Sequence, residues 1–137
     1  MNTGKAADVL QSVIFGIGAF CFGEFGGLLG ALITFIVIDY VTGFAAAAIG
    51  KRLSSAYGAK GIAKKISILL IVSLGHILDV NIIGQGDYIM TMAILFYIAN
   101  EGLSILENAV ALGVKVPGKL REVLIQVGDK DYTAKTQ

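Results

Sequence analysis

The chain has one cysteine, one histidine and one proline in 137 residues, and only 15% of it is charged. Cys21 has no second cysteine for an internal disulfide, and with His76 it does not make a metal-ligand set of the usual spacing, so no metal or other cofactor is expected. Catalytic signatures are missing too. No glycine-rich phosphate loop ends in Lys-Ser or Lys-Thr, no nucleophile elbow is present, and His76 has no partner suited to acid and base work, so the chain does not read as an enzyme. Gly16 and Gly18 lie in an apolar run without the remainder of a dinucleotide fingerprint. Basic residues interleaved with aromatic ones are also lacking, which argues against nucleic acid as a partner. There is no internal repeat.

What the chain has in abundance is apolar surface: 55% of its residues are hydrophobic and its mean hydropathy is +0.78. For a single domain of this length that is far above a soluble composition, and bilayer is the natural solvent. Four blocks, residues 6–22, 25–49, 66–83 and 88–112, approach the ~20 apolar residues that a helical span requires. The first is short and carries Asp8 and Gln11, so it either spans tilted or dips in and returns. It superficially resembles a signal peptide, but Phe20 and Phe22 flank Cys21 and spoil a cleavage site, so it is expected to stay attached. The glycine-rich segment 23–27 is suited to turning the chain between helices. The expected fold is all-α: integral membrane helical hairpins with four (at the least three) transmembrane helices, plus a short C-terminal amphipathic helix.

Charge placement sets the expected topology. The eleven basic residues fall at Lys5, in the segment 51–65 (Lys51, Arg52, Lys60, Lys64 and Lys65), and from Lys115 onward. The connections that alternate with them, 23–27 and 79–87, contain acidic residues and no basic one. Cytoplasmic loops collect Lys and Arg. Four spans therefore place both termini and the 51–65 loop inside the cell; three would leave Lys5 outside. Residues 51–61, rich in Ser and Gly, are expected to be irregular and solvated, with the stems of Lys64 and Lys65 snorkelling to the headgroups. Beyond the break at Pro117, Leu120, Val123, Leu124 and Val127 recur at helical spacing, as in a helix lying on the inner membrane surface. Residues 129–137 read as disordered. Residues 1–112 thus form a transmembrane domain and 113–137 a cytoplasmic, basic, amphipathic tail.

Ionisable residues inside a span are costly, about 2.5–3.5 kcal/mol each on insertion scales, and call for partners. Asp39 sits either in a polar contact of a helix bundle or low enough to reach the inner headgroups. Glu101 lies at a similar depth, and Asn100, Ser104 and Glu107 form a stripe at spacings of four and three that faces other helices, other copies or water. His76 and Asp79 share a face near the outer end of the third block, as an interfacial hydrogen-bonded pair or a proton relay. Gly23 with Gly27, Gly26 with Gly30, Gly43 with Ala47, and Ala46 with Gly50 are small residues four apart, which permit close helix approach in lipid.

The stretches IDYVTG (38–43), LSSAYGAKGIAKK (53–65), YIANEGLSILEN (97–108) and LGVKVPGKL (112–120) resemble the toxin-secretion and phage-lysis holin family, over roughly residues 5–125. That resemblance implies a phage or prophage protein of the bacterial cytoplasmic membrane that forms a homo-oligomer and opens lesions at a programmed time. The lesions would pass an endolysin, with which no stable complex is implied, or a toxin. It also implies early opening when the membrane potential collapses. Asp39, Gly43, Glu101 and the turn 116–118 fall on the family's recurrent positions, without a catalytic role. The residues themselves leave two competing classes open, a small ion or solute channel and a passive membrane adaptor.

Overall fold

The computed structural model describes residues 2–23 and 26–133, with side chains through Gly128. Five α-helices follow one another: α1 Thr3–Phe22, α2 Gly27–Ile49, α3 Ser55–Leu78, α4 Tyr88–Ala111 and α5 Gly118–Thr133. No strand occurs among the described residues. By length and composition α1, α2, α3 with its extension, and α4 are each able to cross a membrane, in line with the expectation of four. Glu24 and Phe25, in the first turn, lie outside the described residues, as do residues 134–137 of the expected disordered end.

The packing is that of a membrane bundle. Phe15, Phe20 and Ile82 are each more than two-thirds exposed, and α1 buries no residue at all. In lipid such surface needs no cover, so helix contacts depend on shape and on polar pairs instead. α4 is the hub: α2, α3 and α5 pack on it, and α1 touches α3 alone among the described residues. Leu29, Leu32 and Ile36 of α2, Ile68 and Val72 of α3, and Met90 and Ile94 of α4 form the apolar core.

Glycines admit the closest approaches. At Gly75 an added Cβ would lie 3.1 Å from the Met90 backbone, so α3 and α4 touch nearly backbone to backbone. At Gly102 it would lie 2.9 Å from both methyls of Leu124 and 3.1 Å from the Phe35 ring, so α4 receives α5 on one side and α2 beside it.

Three expectations change. The 51–61 loop is shorter than composition suggests, because α3 starts at Ser55, well before its apolar run. Ser54 caps it, its Oγ accepting from the Tyr57 N–H at 3.1 Å, and the Ala and Lys residues that follow favour helix. Hydropathy marks where lipid begins, whereas capping marks where the helix begins. Second, α5 does not lie apart on a membrane surface. It folds back antiparallel along α4, with Leu124 buried over Gly102 and Gly128 against Ala99, while Leu120 and Val123 stay exposed. Third, the helix continues to Thr133, through the first part of the segment expected to be disordered.

Candidate functional site

Below the apolar core the stripes of α2, α3 and α4 each turn polar at one level. On α2 the buried positions Leu29, Leu32 and Ile36 lead at spacings of three and four to Asp39, then to Gly43 and Ala46. On α3, Lys65 precedes Ile68 and Val72 on the same face. On α4, Glu101 lies seven residues after buried Ile94 and seven before Asn108. Helix periodicity thus carries an acid, a base and an acid into one layer.

There the Lys65 ammonium forms ion pairs with both Asp39 and Glu101. Glu101 is 1% exposed and Asp39 7%. Asn108 completes the cluster, its Nδ2 donating to Asp39 Oδ1 at 3.0 Å, to the Asp39 carbonyl at 3.3 Å and to Thr42 Oγ1 at 3.1 Å. Gly43 leaves room for this amide, since a Cβ there would meet Asn108 Nδ2 at 3.4 Å. Two carboxylates share one cation, so the cluster is formally one negative charge in excess. Removing Lys65 would leave two buried carboxylates uncompensated, whereas removing either carboxylate would leave a neutral pair.

Several expectations meet here and others part. Asp39 is a bundle contact, held by Lys65 and Asn108. Lys65 does not snorkel; it is the centre of the cluster, whereas Lys64, Lys60, Lys51 and Arg52 are exposed. The expected stripe of Asn100, Ser104 and Glu107 divides. Asn100 and Glu107 are exposed, and the inward face is Glu101, Ser104 and Asn108. Asn108 was visible in the sequence at spacings of four from Ser104 and seven from Glu101. Lys65 was visible as the first member of the stripe that includes Ile68 and Val72.

His76 and Asp79 do not pair. Asp79 opens a π-helical turn, Asp79–Ile83, that extends α3. Fully buried, it accepts from the backbone N–H groups of Ile89 at 3.0 Å and Met90 at 2.9 Å, capping α4 from another helix. This satisfies donors that Asp87, next to α4's first residue, leaves unpaired. His76 Nδ1 instead lies 3.6 Å from Asp87 Oδ1. Its ring packs on Gly23, where a Cβ would come within 2.7 Å of Cε1 and where φ is +66°. Of the other small residues, Ala47 is buried. Gly27 faces open space and Gly50 ends α2; Gly26 and Gly30 lie at its start. No group of three or more His, Cys, Asp or Glu suited to a metal occurs among the described residues.

The sequence profile described as the bacteriophage holin family matches residues 16–129. The chain belongs to the bacteriophage holin family. Among similar proteins is a probable holin of Bacillus phage phi105, 36% identical over 119 residues, 87% of this chain and 86% of that one. An uncharacterized protein of Listeria monocytogenes is 43% identical over 120 residues, 85% of either chain. Another, of Halalkalibacterium halodurans, is 36% identical over 130 residues, covering 91% of this chain and 93% of that one. No solved structure matches the fold. With four apolar helices long enough to cross, this member of the holin family is a membrane protein, and the matched segment contains every residue of the ion cluster.

Proposed function

We propose that this chain is a phage or prophage holin that accumulates in the bacterial cytoplasmic membrane, oligomerises, and opens timed lesions through which a cytoplasmic endolysin, or a toxin, crosses. The observation that carries the reading is the ion cluster that ties α2, α3 and α4 together within a holin-family chain. Moving an unpaired charge to the bilayer centre costs about 2.5–3.5 kcal/mol on insertion scales. While the helices face lipid, the two carboxylates and the ammonium hold one another. Once copies assemble around water, the same groups are solvated and the penalty for separating them falls. Lipid therefore favours the closed bundle and water the open assembly, a two-state equilibrium of the kind a timed lesion requires. Uncovered α1 and the open side of Gly27 offer the faces for contacts between copies.

The basic residues orient the bundle with Lys5, the α2–α3 turn and the α4–α5 turn, which carries Lys115, on the cytoplasmic side. The test is induced expression in a bacterium, with and without a cytoplasmic endolysin, recording optical density and release of that enzyme. Abrupt, delayed lysis that depends on the endolysin is expected. Ion leakage without enzyme release would identify a narrow channel, and an intact membrane at every expression level an adaptor.

A further inference from the structure

α2 and α3 both pack on α4 but diverge below the ion cluster, and between them lies a cavity of about 440 Å³, within the ~300–1,000 Å³ usual for a ligand site. Tyr40, Phe44, Tyr57, Lys60 and Lys64 line it, together with Asp39, Lys65 and Asn108 of the ion cluster. Its floor is shaped by two glycines of α3: a Cβ at Gly61 would lie 3.6 Å from the Tyr40 ring and one at Gly58 3.8 Å from its hydroxyl. Lys60 and Lys64 take no part in the ion cluster.

Charge and depth point to one class of occupant. Lys60 and Lys64 make no ion pair among the described residues, and the adjoining cluster of Asp39, Glu101 and Lys65 carries one formal negative charge. Together they leave one positive charge, the complement of a single phosphodiester. Glu101 is thirteen residues from the start of α4, or ~20 Å at 1.5 Å per residue, about two-thirds of the way across a ~30 Å hydrocarbon core. Lys60 lies five residues before Lys65, ~7.5 Å further toward the inner face, where headgroup phosphates begin. Phe44 and the two tyrosine rings give the cavity an apolar wall suited to the upper part of a lipid chain. Basic pockets between transmembrane helices on the cytoplasmic side bind anionic headgroups.

We infer that the cavity between α2 and α3 binds the phosphodiester headgroup of an anionic phospholipid of the inner leaflet through Lys60 and Lys64. The inference rests on the bilayer placement and orientation proposed above and is independent of lesion formation.

The experiment compares thermal unfolding of the full chain in bilayer discs of phosphatidylcholine with that in discs doped with phosphatidylglycerol. The anionic lipid is expected to raise the midpoint by several degrees. K60Q/K64Q should lose that rise while unfolding like the parent in phosphatidylcholine, and K115Q/K119Q, with its cations outside the cavity, should keep it. Gly61→Leu, which fills the cavity and retains both lysines, should also lose it. A rise kept by K60Q/K64Q and by Gly61→Leu would overturn the proposal. An equal loss in K115Q/K119Q would overturn it in favour of diffuse surface charge, and an equal rise from inorganic phosphate in phosphatidylcholine discs in favour of a soluble anion. Because the readout needs only an intact bilayer, its failure is distinct from that of the holin reading, which is scored by lysis.

Discussion

Lys65 is the residue on which most of the buried charge depends, for among the described residues it alone forms ion pairs with both Asp39 and Glu101. Lys65→Met keeps the stem and removes the ammonium, leaving two carboxylates in contact with no cation. Breaking a buried pair from one side costs about 3–5 kcal/mol. The variant is expected to unfold in detergent well below the parent, and adding Asp39→Asn and Glu101→Gln should recover most of the loss; an unchanged midpoint in Lys65→Met alone would mean that the cluster faces water. The same two neutral substitutions, made singly with Lys65 intact, should shift the time of lysis. That acids at 39 and 101 need partners was legible in the sequence, because both fall within apolar stripes at spacings of three and four. The identity of the partner was signalled only by the spacing of Lys65 to Ile68 and Val72. Lys64 and Lys65 look alike as a pair at a membrane edge, and only the rotation of α3, fixed by Ile68, Val72 and Gly75 against α4, turns one inward and the other out.

Among the elements, α4 owes its first turn to a residue ten positions upstream. Asp79 supplies the acceptors for Ile89 and Met90, and a lost cap costs about 0.5–2 kcal/mol. Asp79→Ala is expected to lower stability by about that amount, with faster amide exchange at Ile89 and Met90 and little change in α2. Exchange that stays slow at those two amides would show that they have another acceptor. At its other end α4 holds α5 through the notch at Gly102. Gly102→Leu overfills that notch, at a cost of about 1–3 kcal/mol, and should release α5. The contact can be read chemically: with Cys21 replaced by alanine, Ala99→Cys and Gly128→Cys should form a disulfide on oxidation, and Gly102→Leu should prevent it. The spans were legible to within a few residues except at the start of α3, since apolar runs and the glycines at 23–27 mark the others directly. The fold-back of α5 was not, because an amphipathic stripe fits a membrane surface and a neighbouring helix equally well. The deciding features, Gly102 and Ala99, lie on the other helix.

For the whole molecule, the ion cluster and the lysine distribution constrain the same variable, the direction in which the bundle crosses. Lys60 and Lys64 lie on one side of the cluster, and the apolar core of Leu29, Val72 and Ile94 lies on the other. The end of the bundle beyond that core, where α3 turns into α4 around Gly84 and Gly86, carries Asp79 and Asp87 and, among the described residues, no Lys or Arg. An inverted bundle would put every cationic segment on the outer face, against the positive-inside bias. In a Cys21→Ala background, Gln85→Cys is therefore expected to react with a membrane-impermeant maleimide on intact spheroplasts, whereas Thr3→Cys and Ser55→Cys should react only after the membrane is opened. Outside labelling of Thr3→Cys alone would mean that α1 lies along the membrane and three helices span. Outside labelling of Ser55→Cys with protection of Gln85→Cys would invert the bundle, move Lys60 and Lys64 to the outer leaflet, and withdraw the inner headgroups as the source of their anion. The labelling has to be done before lysis, because an open lesion exposes both faces to the reagent and erases the distinction.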